Sequence, residues 1–577
     1  MGERSGYICA ENFLHFLPQK IFKQMKTKLL LTFLFTSLFI NCTFGQGDFN
    51  IKALSNGDYC VFGFFAGELN FNNGDTIGDY YSTDEGYFLA MFDSLGTTKW
   101  VKHLKTKSLN CWGHCPGTGL EVDLQDNILI SGHFYDTLWM DNLNYVEPEG
   151  VFVAKYDNDG NFIWVKEAYI SNGMAVDLDT DSLGNVYSAG IYSGGSLYFE
   201  GLPLLPGSNL TRRLFVVKFD ADGNGEWIVP IRGFTTSSNN LYLSLYGLEV
   251  DRKGGVYITG VFGGESGYMK FGDLLQWTTS GSSYETFLAK CDSSGIPEWL
   301  TKINCANTCY PSKMSMDTSD NLFLSGFYRG SATFDTLPPI TVNNQDMDVF
   351  LARYDTLGHA VWVRSGAFGD EYHLNGIGAM AADDMGNTYL TGVSGAGAIE
   401  FEPLPVVEES GAFFVKHDIN GEAICQIIPF WAMVDIDATT EGNLYSITGS
   451  FDLPPGSYEP QYAHIFKWDD NCNLLWESTI EQNFEPIIWS TENINSNNGM
   501  EVFPNPSSGN FTVKWKENFT ETAQMLVFDQ LGKLITSVQI PSGINVMQLE
   551  LRGQLPGIYF LKVTTKNRTY LQKIIKE

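Results

Sequence analysis

A strand of the form Phe-x-Ala-Lys-x-Asp, with a Trp seven residues after the Asp, returns along most of this chain and restricts what it can fold into. The pattern is clearest at Phe152 to Asp157 with Trp164, Phe215 to Asp220 with Trp227, Phe287 to Asp292 with Trp299, and Phe350 to Asp355 with Trp362. Phe88 to Asp93 with Trp100 comes before them. Phe413 to Asp418, with Cys425 in the Trp slot, and His464 to Asp469 with Trp476 come after. Successive Asp residues stand 64, 63, 72, 63, 63 and 51 positions apart. Self-similarity at a fixed period points to a stacked array of one small unit, which cannot bury its apolar face alone.

Each unit holds more than this strand. An apolar-Asp pair comes first, at Val176-Asp177, Val250-Asp251, Met316-Asp317, Ala382-Asp383 and Ile436-Asp437. A turn follows, ending in Gly-Asn at Gly184-Asn185, Gly386-Asn387 and Gly442-Asn443, and then a β-branched or aromatic run into a Gly, as in Val186 to Gly190. With the Phe-x-Ala-Lys and Trp strands this makes four short strands bounded by turn residues. Aromatics at 14% and 59 Gly suit many short strands better than helices. Four-stranded units repeated in this way predict an all-β chain, a seven-bladed β-propeller followed by a small C-terminal β-sandwich. The opening strands fall at 51–62, and Phe484 to Trp489 offers a closing strand. The pattern resembles the propeller repeat of bacterial secreted proteins with "GNVYxTG" and "FxAKYD" signatures, over roughly residues 50–480. That resemblance implies the fold and carries no shared ligand.

The two ends read as addresses. Met25-Lys26-Thr27-Lys28, the apolar run Leu29 to Ile40, and Thr43 and Gly45 before Gln46 make a secretory signal peptide at 25–45, with 1–24 outside the translated protein. The predicted divisions are thus a non-mature N-terminus at 1–45, the propeller at 46–489, an Asn/Ser-rich linker at 490–500 and a terminal module at 501–577. In that module Phe503-Pro504-Asn505-Pro506 with Gly509, Leu531-Gly532-Lys533, Leu555 to Tyr559, and Lys573 to Lys576 occur in order. The module resembles the type A sorting domain of the type IX secretion system. By that resemblance Phe503, Pro504, Asn505, Pro506, Gly509, Gly532, Lys533, Gly557, Tyr559 and Lys573 form a sorting motif read by the secretion machinery. The protein is then secreted, or held on the outer face of the outer membrane.

Other candidates have plainer readings. A base two positions before the repeat Asp (Lys155, Lys218, Lys290, Arg353, Lys416, Lys467, with Met91 the exception) reads as a repeated ion pair. Asp157 to Asn161 and Asp220 to Asn224 look like calcium loops but lack the distal Glu, so they read as hairpin turns. Cys111 with Cys115 and Cys305 with Cys309 read as disulfide staples in equivalent loops of an exported chain, with His114 as a metal alternative at the first pair. Cys60, Cys291 and Cys425 read as buried core thiols, with a Cys60–Cys472 pairing as a way to join first and last units.

No nucleophile–base pair, His-Glu metal spacing or phosphate loop appears, and the sequence assigns no catalytic, cofactor or metal residue. His133 and His373 stand in no motif. The formal charge of −31 excludes nucleic acid as a partner, and no stretch reads as an integral membrane span. The expectation is a non-catalytic binding or adhesion module for an unknown extracellular protein or glycan, using aromatic loops such as Phe234 to Tyr246 and Tyr268 to Trp277. The alternative is a glycan-active hydrolase or lyase whose carboxylates come from different blades. Glu400, Glu402, Glu408 and Glu409 are the acidic-loop candidates, although solvated edges explain them better.

Overall fold

A computed structural model describes residues 49–481 and 500–576 apart from internal segments, the longest at 79–84, 109–118, 236–241, 278–283, 369–375, 449–461 and 517–522. The signal-peptide reading and the suggested closing strand at 484–489 lie outside the described residues. All described elements are strands, with no helix among them, so the chain is all-β.

Each of the seven sequence repeats forms a four-stranded antiparallel meander. The inner strands are Phe49–Ala53, Gly119–Val122, Gly173–Thr180, Tyr242–Val250, Thr308–Met316, Gly376–Ala382 and Met433–Ala438. We number the sheets 1 to 7 by them. In sheet 3 the other strands are Val186–Tyr192, Arg213–Phe219 (the Phe-x-Ala-Lys strand) and Gly225–Thr235 (the Trp strand). Sheet 1 is complete by Ser108 and sheet 7 by Glu481, so neither needs a closing strand from 484–489.

The repeat Asp sets the outer hairpin. Asp157 N–H donates to Asn161 O at 2.9 Å, while its Oδ1 accepts the N–H groups of Asp159 at 3.0 Å and Asn161 at 2.7 Å. A carboxylate used in this way holds a turn, and the same arrangement recurs at Asp220. A second Asp turn closes the inner hairpin at Asp123, Asp181, Asp251, Asp317 and Asp383. This corrects the apolar-Asp grouping. Asp251, Asp317 and Asp383 head turns, whereas Asp177 and Asp437 lie inside inner strands.

The Trp holds one sheet to the next. Trp100, Trp164, Trp227, Trp299 and Trp362 each donate Nε1–H to a turn carbonyl of the following sheet, at 2.9–3.2 Å. Each indole also covers the Gly of that turn, which has positive φ. A Cβ on Gly295 (φ +78°) would stand 2.8 Å from Trp227. Gly295→Ala is therefore expected to cost about 1–3 kcal/mol from overpacking in addition to the φ penalty. Gly74→Ala, at φ +89° with open space around it, carries the φ penalty alone. Equal melting temperatures for the two variants would refute the interlock.

At the sheet 6–7 boundary both halves of this contact are replaced. Cys425 occupies the Trp slot, Cys472 the Gly slot, and the two form a disulfide. This overturns the reading of Cys425 as a free core thiol and of Cys472 as the partner of Cys60. Cys60 is a buried free thiol in the core between sheets 1 and 2, with Leu120 and Ile130, while Cys472 packs with Tyr389 and Phe414 of sheet 6. Cys291 is also free and buried.

Sheets 7 and 1 share a core containing Phe49, Phe88, Tyr445 and Ile465. Tyr445 Oη donates to Gly57 O at 2.8 Å, and Asn70, from a short strand at Glu68–Asn70, pairs with Glu481. In the same way Tyr198–Phe199 of sheet 3 adds to the outer strand of sheet 2, and Gly267–Phe271 of sheet 4 to that of sheet 3.

Residues 500–576 form a three-stranded and a four-stranded sheet. Phe511, Val513 and Trp515 of one and Met525, Leu561 and Ile574 of the other build one core.

Candidate functional site

The inner strands carry a column of side chains two residues before the inner turns, polar at Lys52, Glu121, Asp179, Glu249, Ser315 and Asp437 and broken at Ala381. Inner strands of neighbouring sheets form no ladder with one another, so their edge N–H groups need other acceptors. Short polar side chains supply them. Asp179 accepts Val250 N–H at 2.6 Å, Asp437 accepts Ala53 N–H at 2.8 Å, and Ser315 Oγ accepts Ala382 N–H at 2.9 Å. One layer further along, Asp177 accepts Leu248 N–H and Asp435 accepts Ile51 N–H, both at 2.9 Å. Lys52 Nζ lies 2.8 Å from Glu121 and 3.7 Å from Asp437. Burial would lower the Lys52 pKa, but these two carboxylates outweigh it and hold the ammonium charged. Burial raises Glu121, burial and then the Glu121 charge raise Asp179, and burial and then the Asp179 charge raise Glu249, the last two well above the usual carboxylate range.

Asp177 is pushed up to about 6, chiefly by burial. A carboxyl raised on folding favours the folded state at low pH, and that contribution is lost as pH rises from the unfolded value through 6. Asp177→Asn keeps an acceptor for Leu248 and removes the charge. The variant should melt above the parent at pH 7.5, by the equivalent of about 2–3 kcal/mol, and converge with it near pH 4. A gap independent of pH would count against the assignment.

The repeat bases meet carboxylates only in part. Lys155 reaches Asp123 at 2.8 Å, Lys218 reaches Glu226 at 2.8 Å, and Lys290 lies 3.3 Å from Asp251 and 3.2 Å from Glu298. Arg353 donates to Asn321 and Lys416 to Asp470 O. The commoner partner is a tyrosine ring directly across the sheet, with Lys218 over Tyr187, Lys290 over Tyr257, Lys416 over Tyr389 and Lys467 over Tyr445 at 4.8–5.3 Å.

Of the cysteine candidates, Cys305 and Cys309 form a disulfide, and Cys111, Cys115 and His114 lie outside the described residues, as does His373. His133 is buried. Glu400 and Glu402 flank buried Phe401 on a sheet edge, and Glu408 and Glu409 are outside the described residues. Among the described residues no three His, Cys, Asp or Glu are grouped to hold a metal ion.

The aromatic loops are largely paired strands. Phe234 stacks on Tyr268 at 5.0 Å, and Tyr284 meets Tyr242 at 5.1 Å and Tyr310 at 5.5 Å, with Arg212 over Tyr242 at 5.7 Å. Burial and the neighbouring tyrosines push Tyr246 and Tyr310 up to about 12.

A cavity of about 280 Å³ opens at the outer edge of sheet 2, where Tyr198–Phe199 adds to it. It lies between the hairpin carrying Tyr145 and Val146, the end of Phe162–Tyr169, and Tyr198–Phe199. Glu147, Glu149, Glu167 and Glu200 border it, with Tyr145, Tyr169 and Tyr198 each about half exposed, at 52%, 57% and 47%. Burial raises Glu149. Burial, Glu147 and Glu200 together raise Glu167, although its Oε2 accepts Glu147 N–H at 3.2 Å. Sequence reading missed this site because it sits where the repeats diverge. The positions equivalent to Glu167 hold His103, Pro230, Lys302, Ser365, Ile428 and Thr479. The lone carboxylate in this column of outer-strand positions was the available signal.

In the terminal module Asn505 acts as an edge strand would. Its Nδ2 donates to Lys573 O at 2.7 Å and its Oδ1 accepts Ile575 N–H at 2.8 Å. Phe503 is 46% exposed, Tyr559 is buried, and Lys576 reaches Gln554 O. Leu531, Gly532 and Lys533 lie outside the described residues.

Residues 501–577 match the family described as the secretion system C-terminal sorting domain. The chain is therefore cargo of type IX secretion, delivered to the cell surface or the extracellular space. No helix of the described residues is long and apolar enough to cross a membrane. An uncharacterized WD repeat-containing protein of Acanthamoeba polyphaga mimivirus is 22% identical over 377 residues, covering 54% of this chain and 26% of that protein. The chain thus spans about a quarter of that relative. A solved protein of unknown function from Bacteroides caccae aligns at TM-score 0.30 and 9% identity, over 58% of this chain and 91% of that one. The polysaccharide lyase Uly1 aligns at TM-score 0.30 and 10% identity, over 92% and 90%. Likenesses this distant say nothing about activity.

Proposed function

We propose that the seven sheets, within residues 46–489, are the blades of a closed β-propeller that binds an extracellular glycan or protein without turning it over. In this reading 490–500 is a linker and 501–577 the sorting domain that type IX machinery handles. The sheet 7–sheet 1 contacts support closure: a shared core, a strand exchange at Asn70 and two carboxylate bridges from Asp435 and Asp437. One observation carries the binding assignment. The polar residues that recur from sheet to sheet are engaged in turns and sheet-to-sheet contacts, whereas the Tyr- and Glu-lined cavity lies where the repeats differ.

Screening the secreted protein on a glycan array, with a hydrolysis readout in parallel, tests this. Retention of a glycan with no released product is expected, and product release would overturn it. The raised carboxyls of Glu149 and Glu167 beside one cavity favour the second reading, a glycan-active enzyme. In that case Glu149→Gln or Glu167→Gln abolishes product release.

A further inference from the structure

We infer that the cavity at the outer edge of sheet 2 takes a protonated amino sugar, its ammonium set among the carboxylates of Glu147, Glu149 and Glu167 and its ring against Tyr145, Tyr169 and Tyr198. This inference rests on the binding reading above and specifies its ligand.

The charge around the cavity is one-sided. Four carboxylates border it, and the one base in the wall, Lys166, is directed elsewhere. Along the extended strand Phe162–Tyr169, Val165, Glu167 and Tyr169 share a face, and Lys166 points to the other. The Lys166 stem lies by Gly223 of sheet 3, where a Cβ would meet its Cε at 2.9 Å, and its charge acts on Asp220. The acids are thus left without a cation of the protein's own inside the cavity. Crowding shows in the carboxyls themselves, since Glu167 is raised by burial and then by Glu147 and Glu200. A bound cation would relieve this repulsion.

The cation is organic. A calcium ion needs six to eight oxygens at ~2.3–2.6 Å, and no three acids among the described residues converge to that degree. The carboxylates instead surround a space of about 280 Å³, close to the lower end of small-molecule sites at ~300 Å³. Three half-exposed tyrosine rings line the same space. Aromatic faces attract ammonium groups and also stack on the apolar C–H faces of sugar rings. A bare alkylammonium chain would use the charge and leave the tyrosine platform uncovered, whereas an amino sugar uses both.

Titration calorimetry on the full secreted chain tests the assignment, using fully de-N-acetylated glucosamine trisaccharide, its N-acetylated counterpart and spermidine. The amine-bearing trisaccharide should bind at least about ten-fold more tightly than the acetylated one, the scale of one charge-assisted contact. Its affinity should fall as salt is raised. Glu167→Gln should weaken it about ten-fold and Tyr169→Ala about five-fold, with circular dichroism unchanged, while Lys166→Gln should not weaken it. Equal binding of the two trisaccharides, binding of neither, or an amine-sugar affinity untouched by Glu167→Gln would overturn the inference. Spermidine binding as tightly as the sugar would overturn its sugar part. A neutral glycan retained through Tyr169 would also overturn it, yet leave the binding reading standing.

Discussion

A chain that stops before residue 501 is expected to accumulate in the periplasm, folded and absent from the medium and the cell surface. The terminal module has its own core, built from Phe511, Trp515, Met525 and Ile574, and its own two sheets. None of its described residues belongs to the cores between the repeat sheets. A sorting domain acts as an address read by a receptor rather than as a working surface, so its loss should stop transport without harming the cargo. Asn505→Ala is the finer test. It removes the two hydrogen bonds that tie the Pro-Asn-Pro segment to the final strand at Lys573 and Ile575, and should lower the exported fraction while leaving the repeat sheets intact. Fractionation with protease accessibility reads both variants. A truncated chain that still reaches the surface would remove the basis for the export assignment.

The second large effect is expected at Asp437. Its carboxylate accepts Ala53 N–H at 2.8 Å and faces Lys52 at 3.7 Å, joining the last inner strand to the first. Asp437→Ala leaves that N–H without its acceptor and shifts the whole of the Lys52 charge onto Glu121. Leaving a buried N–H without its acceptor costs about 1–3 kcal/mol, which should appear as a drop in melting temperature. Asp437→Asn keeps an acceptor for Ala53 and should fall between the two. The comparison with Asp179→Ala matters most. Asp179 makes the same bridge to Val250, but sheets 3 and 4 are also joined by chain, which keeps their effective concentration high. Sheets 1 and 7 have no such link, so early proteolysis at the first inner strand should follow Asp437→Ala and not Asp179→Ala. Identical cleavage patterns would argue against a ring closed at that junction.

Much of the local plan is legible in the sequence. Asp157, Asp220 and their equivalents head turns because an Asp followed by Gly or Asn offers a carboxylate for the i+2 and i+4 N–H groups, a local matter of chain geometry. The alternation that places Phe152, Ala154 and Tyr156 on one face is equally local. Misreadings arose where a residue's partner is far away in sequence. Asp177 and Asp437 looked equivalent to the turn residues Asp251 and Asp317, and only the inner-strand bulges and the neighbouring edge show that they bridge sheets. Cys425 and Cys472 each appeared as an odd residue in its own repeat. Their bond is visible only once it is known that the Trp slot of one sheet meets the Gly slot of the next.

By itself, then, the sequence determined the strand-and-turn unit, its all-β character and the sorting tail, because each is written in residues a few positions apart. Tertiary structure alone decided which acids meet in the inner-strand column, which sulfurs bond, and where a cavity forms between Tyr145, Glu167 and Tyr198. Those are contacts between different sheets, and a periodic sequence specifies its repeating positions far more strongly than the places where neighbouring repeats depart from each other.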